Sequence, residues 1–149
     1  MKRINKDNER GASLVEFSIA ATVFLTVMFA VVEFGRALWT HNALADAARR
    51  GARYAVLNEQ SKIDEVKRVV VYGNLEDNTK PILDNLTTDN VDVFYDGFGM
   101  DVGTVQVIIK EYDFKFIVPI VSTKIRMPKY TTTLTGESAG TAPATIPAG

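Results

Sequence analysis

The residues of most chemical interest in this chain stand at the mouth of an apolar run: Gly11, Ala12, Glu16 and Phe17. Glu16 puts a carboxylate where a hydrophobic helix begins, and left unpaired it costs about 2.5–3.5 kcal/mol on insertion scales if it reaches the centre of a bilayer. A helix start favours an acid through the macrodipole, and a carboxylate there can also snorkel to the interface. The sharper reading gives Glu16 a cationic partner. A cut after Gly11 would create an α-amine on Ala12, about one turn away on the same chain or on a neighbour. Elsewhere the chemistry is thin. There is no cysteine and a single histidine, His41, which excludes a disulfide framework, a thiolate metal site and paired-histidine chemistry. Asp92, Asp96 and Asp101 surround a loop without EF-hand spacing and read as a solvated turn. Gly97-Phe98-Gly99 lacks the strand–helix context of a phosphate loop, and Asn85-Leu86-Thr87 reads as a chance sequon. No nucleophile stands at a sensible spacing from a base. No catalytic residue, metal or cofactor is therefore expected. The net charge of -1 offers no basic field for nucleic acid.

The elements that must position Glu16 are unusual. From Phe17 to Val32 the chain reads FSIAATVFLTVMFAVV, without proline or glycine. Its polar members, Ser18, Thr22 and Thr26, can bond back to carbonyls of their own helix. Sixteen residues span only about 24 Å, but Leu14, Val15 and the stretch from Phe34 to Trp39 extend the run toward the ~30 Å hydrocarbon thickness. A helix apolar on all faces needs a large protein core or a membrane, and the rest of these 149 residues is too small for the former. A membrane span over about 14–35 follows, with Trp39 as an interfacial anchor. Ala43-Leu44-Ala45 has the form of a signal-peptidase site, but Glu33, Arg36 and His41 separate it from the apolar run. Basic residues flank both ends, namely Lys2, Arg3, Lys6 and Arg10 before the span and Arg36, Arg49, Arg50 and Arg53 after it. The short polar leader favours a cytoplasmic N-terminus.

Beyond the span, Leu38, Leu44, Ala45, Ala48, Ala52 and Ala55 recur at mostly three- and four-residue spacing. Small side chains on such a stripe let another backbone approach. Arg49, Arg50 and Arg53 beside it read as a solvated face. Gly51 marks a close contact or a bend.

The segment Gly11-Ala12-Ser13-Leu14-Val15-Glu16-Phe17 resembles the type IV prepilin pattern of a glycine, four residues, a glutamate and an aromatic. With the blocks EFGRAL (Glu33 to Leu38) and NALADAAR (Asn42 to Arg49) following in order, roughly the first third of the chain resembles the TadE-like family, the TadE, TadF and TadG minor pilins or pseudopilins of tight-adherence (Flp) pilus systems. The resemblance implies cleavage between Gly11 and Ala12 by a prepilin peptidase. Glu16 and Phe17 would be read in processing and assembly, and Glu33, Gly35, Ala45, Ala48 and Ala52 would serve helix packing. It implies a non-enzymatic role in pilus initiation or assembly at the bacterial inner membrane. The partners would be other pilins and minor pilins, the peptidase, the inner-membrane assembly platform and membrane lipid. Thr22 departs from the pattern, since the family often has a proline there, so this helix is expected to lack the usual kink. An uncleaved membrane-anchored scaffold or adhesin is the alternative, and a membrane-anchored enzyme a remote one.

The remaining chain reads as a small domain. Ser61 to Asp64 can cap a short second helix carrying Ile63, Val66, Val69 and Val70 on one face, with Gly73 past its end. Asn74 to Asn90 is a polar connection with a short turn at Ile82 to Leu86. Val91 to Tyr95 and Thr104 to Ile109 form a hairpin. Tyr112, Phe114 and Phe116 extend or follow it, and Ile125 to Leu134 supplies a last strand with Pro128 near its start. The expected architecture is α+β. A leader occupies 1–11 and a long transmembrane helix 12–57. That helix continues into a pilin-like domain over 58–136, with a second helix and an antiparallel sheet of about three to four strands. A disordered tail over 137–149 is expected beyond it.

Overall fold

The computed structural model describes residues 6–76, 80–97, 103–117 and 124–136, with side chains from residue 11 onward. The expected tail, Asp101 and Gly99 lie outside these residues.

One helix dominates. α1 runs from Lys6 to Val56 over 51 residues, about 76 Å of axis. It begins before Gly11 and passes through that position without interruption. Along its lower part, Ser18, Thr22 and Thr26 each donate a hydroxyl to the carbonyl four residues earlier, at 2.7–2.8 Å. Three apolar-phase hydroxyls are thus satisfied inside the helix, and an apolar surrounding need not supply partners.

The upper part of α1 carries the domain. α2 (Ile63–Tyr72) follows a 3-10 turn at Gln60–Lys62 and packs back on α1. No side chain caps its start; the Ser61 hydroxyl reaches the Glu59 carboxylate instead. Its end is the expected glycine stop: Gly73 has φ 82° and donates its N–H to the Val69 carbonyl. A three-stranded antiparallel sheet lies across both helices in the order β1 (Val91–Asp96), β2 (Thr104–Ile109), β5 (Tyr130–Thr135). The register pairs Val91 with Ile109 and Ile109 with Tyr130. In β2 the side chains of Val105, Val107 and Ile109 are fully buried while their neighbours alternate outward, the period-two pattern of a half-buried strand. Their partners in the core are Leu44, Ala47, Ala48, Ala52 and Ala55 of α1 and Val66, Val70 and Val71 of α2.

The predicted last strand divides. Lys124–Arg126 forms β4, which pairs with β3 (Asp113–Lys115) in a separate two-stranded sheet, and β5 starts only at Tyr130. Both edges of this second hairpin have a local cause. On one side Glu111, with φ 56°, sits in the left-handed region and turns the chain out of β2. On the other, Pro128 lacks the N–H that a continuous ladder would need. Released from the main sheet, the hairpin runs down α1 toward its apolar half.

Candidate functional site

Gly11, Ala12, Glu16 and Phe17 occupy adjoining turns of α1, and all four are exposed. A Cβ built on Gly11 meets nothing within 4 Å. Glu16 makes no ion pair or hydrogen bond with the described side chains. Around it, the large apolar side chains from Leu14 to Phe34 are between 43% and 71% exposed. The helix is long and apolar enough to cross a membrane, and none of that apolar window is covered by the rest of the chain.

Glu33 and Gly35 diverge, although they are two residues apart. Gly35 faces outward with nothing near it. Glu33 is only 6% exposed. Its carboxylate accepts from Arg36, one turn on, and Oε1 also accepts the Ile117 N–H at 3.1 Å. Arg36 in turn donates to the Lys115 carbonyl and lies 4.4 Å from the centre of the Phe114 ring. Phe114 stacks edge-on against Phe116 at 5.3 Å. A carboxylate and a guanidinium thus brace the hairpin against the helix. A charge-assisted bond of this kind is stronger than a neutral one because donor and acceptor are both ionised. Sequence reasoning placed Glu33 on a packing face but not this partner. The clue available was an acid and a base three apart in an apolar run, which on a helix face each other.

Higher on α1, Ala48 and Ala52 are fully buried under the sheet and Ala45 is half-buried. Between them Gly51 resolves the question left open by its type. A Cβ there would lie 2.2 Å from Val70 Cγ2 of α2, so the glycine marks a close contact. His41 and Tyr130 share a hydrogen bond of 2.7 Å between Nδ1 and the hydroxyl, which ties α1 to the start of β5. Tyr54 donates to Glu65 at 2.6 Å across the α1–α2 contact. That hydroxyl, ahead of the opposing effect of burial and the smaller help of Lys62, holds the Glu65 carboxyl below its ordinary value. Arg49 pairs with Asp46 and Arg53 is exposed, whereas Arg50 is half-buried.

Among the described residues no group of three or more histidine, aspartate or glutamate side chains could hold a metal ion. Asp92 is spoken for by Lys110, at 2.6 Å. The arrangement offers exposed apolar helix surface, the Glu16 carboxylate at its head, and a braced hairpin. It is built for packing.

No curated protein and no solved structure matches the chain. The model of the TadE-like protein family does, over residues 11–53. The matched stretch starts at the glycine of the prepilin-like signature, crosses the exposed apolar turns, includes the Glu33–Arg36 brace and ends among the small residues under the sheet. Over that segment the chain is similar to the TadE-like family.

Proposed function

We propose that this chain is a minor pilin or pseudopilin of a tight-adherence type pilus, acting by helix packing rather than by catalysis. The observation that carries the reading is the lower half of α1: a helix studded with bare apolar side chains, headed by glycine-x4-glutamate-phenylalanine, within the TadE-like segment. Such a surface is stable in lipid or against other helices and not in water. The span would cover about 14–35, with the N-terminus cytoplasmic and the α+β domain on the far side of the inner membrane.

Processing follows from the same residues. The peptide bond after Gly11 lies in helical backbone, so a peptidase must unwind a turn to reach it. Glycine lowers the cost of that unwinding by about 1 kcal/mol relative to alanine. Release of the leader exposes the Ala12 amine. Glu16 of this chain or of a neighbouring pilin pairs with it once both are in a low-dielectric bundle, where a paired charge is far better than a lone one. Prepilin peptidase, other pilins and the assembly platform are the partners this requires.

The test is the mature N-terminus. Mass spectrometry of the protein from its native membrane should find a chain beginning at Ala12, and Gly11→Trp should abolish that species. A chain that keeps Met1 in assembled pili makes this an uncleaved scaffold. Glu16→Ala should insert normally but enter pili poorly; unchanged assembly rules out the pairing.

A further inference from the structure

The β3–β4 hairpin points the wrong way for a domain that only sits above a membrane. Successive contacts give its direction. The Lys115 carbonyl meets Arg36, and two residues later the Ile117 N–H meets Glu33, three positions nearer the start of α1. Phe116 and Ile125 line a common groove with Leu25 and Phe29 of α1, so the hairpin descends along the helix, away from the core at Leu44 to Ala55. Its root is buried, with Tyr112 and Phe114 almost fully covered and the Tyr112 hydroxyl on the Asp84 carbonyl. Its lower end is bare: Ile117 is 73% exposed and Ile125 49%. Between hairpin and helix runs an apolar groove of about 690 Å³, lined on one side by Leu25, Phe29 and Phe34 and on the other by Phe116, Ile125 and Met127. The α1 wall of this groove belongs to the proposed membrane span.

We propose that this hairpin is a second membrane-contacting element. Its apolar end lies in the leaflet on the side of the C-terminal domain, an acyl chain fills the groove, and its basic residues meet anionic phospholipid headgroups. Continuity with the span names lipid as the occupant: an apolar wall shared with a helix immersed in acyl chains is open to those same chains. Charge agrees. Between Asp113 and Lys129 the hairpin carries Lys115, Lys124, Arg126 and Lys129 against one acid, and Lys124 and Lys129 are exposed. Arg126 is shared with Asp113 at 3.4 Å, and Lys115 bonds Asn85. Basic side chains just outside an apolar insertion favour anionic surfaces. The Glu33–Arg36 brace then has a role beyond packing. It satisfies the Ile117 N–H and the Lys115 carbonyl, two backbone groups that lipid could not serve.

The inference rests on the membrane-spanning reading of α1, and the test separates the two. The chain has no cysteine, so single substitutions Val23→Cys, Ile117→Cys, Ile125→Cys and Thr131→Cys can each carry an environment-sensitive fluorophore. All four positions are exposed, so the core is untouched. The full chain is reconstituted in phosphatidylethanolamine–phosphatidylglycerol vesicles containing a lipid-borne quencher. Labels at positions 23, 117 and 125 should be blue-shifted and quenched, and the label at 131 neither. An unquenched label at 23 overturns the span itself. A quenched label at 23 with unquenched labels at 117 and 125 overturns the hairpin proposal alone. Shielding from lipid at 117 together with cross-linking between Ile117→Cys chains puts a second copy in the groove, and also overturns it. Replacing phosphatidylglycerol by phosphatidylcholine, or combining Lys124→Glu with Arg126→Glu, should reduce quenching at 117 and leave it intact at 23. Equal quenching in all these cases removes the headgroup assignment.

Discussion

The two halves of α1 share a backbone and almost nothing else. Between Leu14 and Phe34 its large apolar side chains are bare; between Leu44 and Ala55 one face carries mostly small side chains, Ala47, Ala48, Ala52 and Ala55, that are fully buried. Large side chains hold other elements away and present area to whatever surrounds them. Small ones let a sheet and a second helix come close, so that a modest domain gains a packed core from one face of a helix. Hydrophobicity alone does not separate these jobs. Side-chain size does, and the change from one regime to the other falls between Trp39 and Leu44, just above the Glu33–Arg36 brace.

That contrast can be broken by placing the same charge in each half. Ala52→Asp puts a carboxylate at a fully buried position within the apolar core. It should cost more than about 3 kcal/mol and unfold the domain, seen as loss of cooperative unfolding in detergent while membrane insertion survives. Val23→Asp should do the reverse. Insertion becomes less favourable by about 2.5–3.5 kcal/mol and the domain stays folded; normal insertion would mean that this half is a solvated helix.

Glu33→Gln acts at the boundary. It removes the charge that holds Arg36 and weakens the bond to Ile117. A loss of about 1–3 kcal/mol is expected, because Arg36 is partly exposed and can be rehydrated. The loss should be local: limited proteolysis should cut the hairpin sooner while the α1–α2–sheet core keeps its amide protection.

The two glycines of the helix offer a matched pair. Gly51→Ala gains up to about 1 kcal/mol of helix propensity but drives a methyl into Val70, and such overpacking costs about 1–3 kcal/mol, so net destabilisation is expected. Gly35→Ala meets nothing within the chain, so the propensity term alone should remain. Thermal unfolding of the two variants measures the difference. If Gly35→Ala is stable yet fails to assemble, that glycine faces another chain.

The smallest effect is a pH dependence of the upper half. The Glu65 carboxyl is held below its ordinary value chiefly by the Tyr54 hydroxyl. Its contribution is complete above the unfolded carboxyl pKa of about 4.3 and is lost as pH falls through the depressed folded value. Tyr54→Phe should flatten that acid limb of the stability curve. An unchanged limb assigns the dependence to other carboxylates.

Much of this was legible without a structure where local rules suffice. A run such as FSIAATVFLTVMFAVV can only be a helix that stays bare or is wrapped by something apolar, because no polar face exists to turn outward. The Gly73 stop and the pairing of Val91–Asp96 with Thr104–Ile109 are likewise short-range matters of glycine stereochemistry and β-branched alternation. The division of Ile125 to Leu134 was half visible in Pro128. Its other half, a left-handed Glu111, was not, since nothing in the residue type announces it.

The sequence by itself determined the long apolar helix, the small-residue stripe above it, the α+β class and the Gly11–Phe17 signature that carries the family likeness, all of them properties of neighbours along the chain. Tertiary packing alone settles that Gly51 is a contact with Val70 rather than a bend, that Glu33 reaches Ile117 eighty-four residues away, and that the second hairpin runs down the helix toward its bare apolar half. Those outcomes depend on which distant surfaces meet. A contact of that kind is fixed by the summed packing of the whole core and leaves no period or spacing in the residues that make it.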